Sequence, residues 1–260
     1  MPWTFAHPAA ILPFRQRLPL AALVIGSVSP DIGYYLGLFQ FATFAHTAPG
    51  VLLACLPLGA AGLGLVHLLR EPVIDLLPQP HRGALRGVAR ADNAPRASRY
   101  ALQALGLLLG AATHTVWDSF THAPGHGVQL MPVLQTPVFE LAGRSFRLFN
   151  LLQHLSTALG VAALFVVYAG WLRHQPRPPG PLPRTAERLR FMILTACAVL
   201  AMAAGAAIAH AQGFSGEGFV FRTAIHGANA FALLFVAAAL IGRAARAWRV
   251  SHTKPSNFDE

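Results

Sequence analysis

The stretch His114-Thr115-Val116-Trp117-Asp118-Ser119-Phe120-Thr121-His122 carries three ionisable groups at i, i+4 and i+8. On a helix, each step of four residues rotates by about 40°, so all three lie on one stripe with Asp118 in the middle. Two histidines one turn apart are a zinc-binding geometry, and an imidazole next to a carboxylate serves equally well. An interhelical hydrogen-bond cluster or a proton relay would use the same residues. Of the ten acids in the chain, Asp31 and Asp118 alone fall inside apolar segments. An ionised side chain there costs about 2.5–3.5 kcal/mol on insertion scales, which makes both functional candidates.

The elements that must position these groups are written in the composition. The 260 residues are 54% hydrophobic and 12% charged, about half the charge of an ordinary soluble domain. A membrane helix needs about 20 mostly apolar residues. Five stretches qualify: 49–69, 100–121, 151–172, 191–211 and 220–242. The chain therefore reads as an all-α, polytopic membrane helix bundle. The net charge of +10 would fit nucleic acid in a soluble protein, but here it sorts by loop. Arg82, Arg86, Arg90 and Arg96 lie in one loop, Arg177, Arg184 and Arg188 in the next, and Arg243, Arg246, Arg249 and Lys254 in the tail. The positive-inside rule places these three segments and the C-terminus in the cytoplasm, with no nucleic-acid partner expected. Arg82, Arg86 and Arg90 recur every four residues, a basic strip suited to anionic lipid heads.

The N-terminal region is apolar over 8–14 and again over 18–28, with Arg15-Gln16-Arg17 between the two runs and Ser29-Pro30-Asp31 after them. It reads as a short helical hairpin with the arginines at its tip, giving five full spans plus the hairpin. The alternative is a sixth, interrupted span. The missing cleavage site and the polar Ser29-Pro30-Asp31 break argue against a cleaved signal peptide. The hairpin carries His7 and Asp31 to the outer side, where His46, the 114–122 stripe and His154 also lie. Metal-type ligands from separate segments then converge: His7, Asp31, His46, His114, Asp118 and His122. His154 is a further candidate, with Asn150 and Gln153 able to orient a ligand. His67, His81, His174, His210, His226 and His252 read as interfacial, and Cys55 and Cys197 as small apolar side chains. The expected organisation is a membrane domain over 1–172, a basic Pro-rich loop over 173–190, two helices over 191–242 and a polar tail over 243–260.

Several motifs resemble a bacterial membrane-protein family described as domain of unknown function 4184. They are Pro2-Trp3-Thr4-Phe5-Ala6-His7-Pro8, Gly26-Ser27-Val28-Ser29-Pro30-Asp31, Thr113-His114 through His122, and Asn150-Leu151-Leu152-Gln153-His154. The order His7, Pro30-Asp31, His46-Thr47, His114-x-x-x-Asp118, Gly125-His126-Gly127-Val128 is also distantly similar to inner-membrane proteins described as metal-dependent hydrolases. Those in turn resemble the zinc-dependent phospholipase C superfamily. The resemblance implies His7, Asp31, His46, His114 and Asp118 as ligands, Asp118 bridging two ions, with His122 and His126 as additions. Ala158 stands where the soluble relatives carry a later Glu four residues after a His, so a third metal lacks that ligand.

Such ligands suit one or two zinc ions, with manganese or iron as alternatives. Paired ions would lower the pKa of a shared water, the expected nucleophile where no side-chain nucleophile or base is evident. The expected activity is hydrolysis of a phosphoester or other ester of a lipid or envelope molecule at the bacterial cytoplasmic membrane. A proton-coupled transporter, a non-catalytic metal-binding protein and a scaffold presenting its arginines are the competing classes.

Overall fold

The structure, a computed structural model, describes residues 3–90, 96–141, 143–176 and 184–252. Nearly all of them are helical. The chain divides into two units, residues 1–65 with 94–173 and residues 66–93 with 174–260.

The first unit opens with a 3-10 helix, Thr4–Phe14, then an exposed turn at Arg15–Arg17, then α1 (Leu20–Val28). This is the expected hairpin, with one difference. Its first arm winds as a tight 3-10 helix because Pro8 and Pro13 lie inside it, and proline has no N–H to give to an i−4 carbonyl. A 3-10 turn (Ser29–Asp31) leads through α2 (Ile32–Tyr35) to α3 (Phe39–Ala45). Thr47 caps the next helix, its Oγ1 accepting the Gly50 N–H at 3.1 Å. That helix runs on as α4 (Ala48–Gly50), a π stretch (Val51–Cys55) and α5 (Leu56–Leu76). The unit boundary falls within α5, after Leu65.

Helix α7 (Arg96–Thr121) is the centre of the first unit and packs along α1. Beyond it come α8 (His126–Leu130), a two-stranded antiparallel hairpin of β1 (Pro137–Leu141) and β2 (Arg144–Arg147), and α9 (Leu148–Arg173). This small hairpin sits within a chain that is otherwise helical, as the all-α reading expects. Phe139 and Phe146 pair across it at 4.9 Å, and Gly143 turns it at φ 75°, a conformation open to glycine.

The second unit contains the end of α5, α6 (His81–Arg90), α10 (Arg184–Ala211) and α11 (Gly216–His252). Gly205 lets α10 and α11 meet backbone to backbone. A Cβ there would lie 2.6 Å from Thr223 O. Leu76, Phe235 and Ala239 form the core of this unit. The basic segment after residue 242 continues α11 as far as His252; residues 253–260, with Lys254, lie outside the described residues. So do 177–183 of the Pro-rich loop and the side chains of Arg90 and Arg96.

Among the described residues, four helices are long and apolar enough to cross a membrane: Ala48–Leu76, Leu148–Arg173, Arg184–Ala211 and Gly216–Arg249, with mean hydropathies of 1.8 to 2.3. They contain four of the five expected spans. The fifth, 100–121, lies in α7, whose second half carries Thr113, His114, Thr115, Asp118, Ser119 and Thr121. Four hydrophobic helices make this a multi-pass membrane protein.

Arg82 and Arg86 of α6 engage carboxylates. Arg82, 8% exposed, donates from Nη2 to Glu187 at 2.6 Å, and Arg86 bonds Asp75. Glu187 also accepts from the Gln79 N–H at 2.8 Å and from Arg190 at 3.0 Å. Removing one partner of a buried ion pair leaves an uncompensated charge. Glu187→Ala, which strands the donors of a part-buried pair, is therefore expected to destabilise the protein by about 1–3 kcal/mol, measured by thermal unfolding in detergent. Glu187→Gln, which keeps an acceptor, should cost less.

Candidate metal centre

Four elements of the first unit bring five candidate ligands together. His7 comes from the N-terminal 3-10 helix, Asp31 from the 3-10 turn after α1, and His46 from the C-terminal end of α3. His114 and Asp118 come from α7. His7, Asp31, His114 and Asp118 are buried, and His46 is partly so. Asp31, His46, His114 and Asp118 form a group that could hold a metal ion, each offering one ligand atom with all four within 4.8 Å of one another.

The separations inside this group are informative. His46 Nε2 lies 3.3 Å from His114 Nε2, 3.4 Å from Asp31 Oδ1 and 3.5 Å from Asp118 Oδ2. His114 Nε2 lies 3.5 Å from Asp31 Oδ1 and 3.4 Å from Asp118 Oδ2. These distances are long for hydrogen bonds. Ligands held about 2.0–2.1 Å from a tetrahedral ion stand roughly 3.3–3.4 Å apart, so five edges of one ligand tetrahedron are present.

The imidazoles are also locked in the tautomer a metal requires. His114 Nδ1 donates to the Ser27 carbonyl at 2.7 Å, and His46 Nδ1 to the Ala42 carbonyl at 2.7 Å. Each Nε2 is left as the free ligand atom, the arrangement that orients metal-binding histidines. Thr4 Oγ1 donates to Asp31 Oδ2 and leaves Oδ1 facing His46 and His114. Thr4 and the Ser27 carbonyl were not evident as site groups from the sequence. Thr4 stands three residues before His7, but nothing local ties it to Asp31.

The other oxygen of Asp118 faces a second pair of imidazoles. Oδ1 is 3.4 Å from His7 Nε2 and 3.6 Å from His122 Nδ1. The His7 ring stacks on that of His114 at 3.6 Å. His7 Nε2, His122 Nε2, Asp31 Oδ1 and Asp118 Oδ1 are buried and lack hydrogen-bond partners. Buried polar atoms are seldom left so, and four at one place match a site built for a cation.

The electrostatics agree with this. Burial pushes the His46 imidazole down, but the Asp118 and Asp31 carboxylates beside it push it up to about 9. Burial raises the Asp31 carboxyl, yet the His114 and His46 imidazoles beside it hold it well below the usual carboxylate range. Burial, helped by His114, brings His7 down to about 3. Without a metal ion, a proton on His46 does part of the work of neutralising the two carboxylates.

The remaining candidates are His126, His154, Asn150 and Gln153. His126 and His154 are exposed, the latter with its ring 6.4 Å from that of Phe146. Asn150 Oδ1 accepts the Arg147 N–H at 3.1 Å, at the start of α9. Gln153 is buried, 7% exposed, and its backbone carbonyl accepts from Ser156 and Thr157.

Fold and site together define a multi-pass helical membrane protein with a buried His/Asp group able to hold a metal ion. The chain belongs to the family described as Domain of unknown function (DUF4184), whose model matches residues 1–246. No curated protein and no solved structure matches it.

Proposed function

We propose that this protein is a metal-dependent hydrolase of the bacterial cytoplasmic membrane, acting on a phosphoester or other ester of a lipid or envelope molecule. The observation that carries the reading is the set of five ligand separations of 3.3 to 3.5 Å among Asp31, His46, His114 and Asp118. Two imidazoles and two carboxylates suit zinc, with manganese or iron as alternatives. Asp118 Oδ1, His7 and His122 offer a second position, so that Asp118 would bridge two ions. A bound divalent ion supplies an acidified water and polarises an ester or phosphoryl oxygen. The chain's own residues do the rest: the Ser27 and Ala42 carbonyls fix the imidazoles, and Thr4 fixes Asp31. The arginine-rich segments favour a cytoplasmic C-terminus.

The test is metal analysis of purified protein together with hydrolysis of chromogenic phosphodiesters and carboxylic esters. Wild type is expected to contain at least one zinc per chain and to lose hydrolysis on chelation. His114→Ala is expected to bind metal more than roughly 100-fold more weakly. Metal-free wild type with pH-driven flux into liposomes would replace this reading with the proton-coupled transporter. Metal without turnover would leave a non-catalytic metal-binding protein.

A further inference from the structure

A cavity of about 300 Å³ lies in the first unit between the N-terminal 3-10 helix and α9. Ala9 and Ala10 line one wall and Gly160 and Ala163 the other, with Trp117 of α7 beside them. His7 also lines it. This residue is 4% exposed, and its Nε2 has no hydrogen-bond partner. Through His7 the cavity adjoins the His/Asp cluster, since that same Nε2 is 3.4 Å from Asp118 Oδ1. The cavity's lining is almost wholly apolar, and apolar cavities take up apolar ligands in preference to water.

We infer that this groove holds one acyl chain of a membrane phospholipid, with the chain's polar end directed to His7. The inference rests on the hydrolase reading for its consequence: the substrate would be an acylated lipid. The occupant follows from the surroundings. Helix α9 is one of the four apolar helices, and Leu155, Leu159 and Phe165 on it are 50%, 68% and 71% exposed. In a bilayer these side chains stand among lipid tails. Ala10 is also exposed, so the groove opens where acyl chains are the neighbouring solvent. Taking about 30 Å³ per methylene, near the liquid volume of a water, the cavity takes roughly ten carbons. The walls are lined almost wholly by apolar groups, and the Ser156 hydroxyl among them already donates to the Gln153 carbonyl at 3.0 Å. His7 is the exception, at the end next to the cluster.

The experiment uses the full chain in liposomes of phosphatidylethanolamine and phosphatidylglycerol, doped with a phospholipid carrying a diazirine in mid-chain. After irradiation, adducts are mapped by mass spectrometry and metal content is measured on the same preparation. Labelling of residues 4–14 and 156–163 is expected to exceed that on the outer faces of α10 and α11. Ala163→Phe and, separately, Ala9→Phe should lower it by roughly tenfold or more by denying burial to several methylenes. Labelling of α10 and α11, and metal content, should not change. If wild type labels the groove no more than α10 and α11, or if both filling variants label as wild type does, the inference is overturned. Groove labelling in protein that binds no metal would refute the hydrolase reading and leave the acyl-chain site standing. Metal with ester hydrolysis but no groove labelling would do the reverse.

Discussion

Asp118→Asn is expected to strip the site of metal while leaving the protein folded and inserted. Asp118 is the one residue whose two oxygens face four imidazoles. Oδ2 stands 3.5 Å from His46 and 3.4 Å from His114, and Oδ1 stands 3.4 Å from His7 and 3.6 Å from His122. Asparagine keeps the size and shape but removes the charge, and one of its two polar atoms becomes an N–H donor that cannot ligate a cation. Loss of a partner that only orients a ligand costs 10- to 100-fold in metal affinity. Loss of the ligand itself should exceed roughly 100-fold, taking metal content from stoichiometric to background. Folding should survive, because the substitution removes a buried carboxylate and creates no new unpaired charge. Elemental analysis paired with size-exclusion chromatography in detergent separates the two effects. Stoichiometric metal in a monodisperse Asp118→Asn protein would show that the ion sits elsewhere.

That central position was legible in the sequence because helical spacing is local. Residues four apart must share a face, and His114, Asp118 and His122 do meet as successive pairs. The apolar lengths were legible for the same reason. Two arginines between short apolar runs fit a hairpin or an interrupted span alike, and the hairpin was preferred because it brings His7, Asp31 and His46 to one side. The hairpin is present, though its proline-bearing arm is 3-10. Contacts between residues far apart in sequence were not legible. Thr4 reaches Asp31 across 27 positions and the Ser27 carbonyl reaches His114 across 87, and neither leaves a periodic trace. The four-residue spacing of Arg82 and Arg86 carried no trace of their carboxylate partners Glu187 and Asp75, since those contacts join different elements. The β-hairpin left a signal in Phe139, Gly143 and Phe146, masked by the helical reading of everything around it.

A second expected result tests how the site is held in place. Gly110→Val should abolish metal binding without touching a ligand. Gly106 and Gly110 form a G-x-x-x-G face on α7, the spacing that lets helices approach closely in lipid. The helices do meet there. A Cβ on Gly110 would lie 2.3 Å from the Leu23 carbonyl oxygen and 2.6 Å from Ser27 N, and one on Gly26 would lie 2.2 Å from the Leu107 carbonyl oxygen. All of these are backbone atoms, so the helices themselves must separate. His114 is one turn beyond Gly110, and its Nδ1 depends on the Ser27 carbonyl of the same α1 segment. Moving α1 away by even 1 Å breaks that bond, frees the imidazole to rotate and takes Asp31 away with the end of α1. Overpacking of this kind costs about 1–3 kcal/mol, so helicity should persist while thermal stability falls. Gly106→Ala should be milder, because its Cβ would meet the Ala22 methyl at 3.0 Å and not a carbonyl. Gly64→Ala is the control, with nothing within 4 Å of the added carbon. A graded loss of metal, from none in Gly64→Ala to complete in Gly110→Val, would show that the site is held by the contact of two backbones. Full metal content in Gly110→Val would mean that His114 keeps its orientation without α1, and the Ser27 bond would then have no part in building the site.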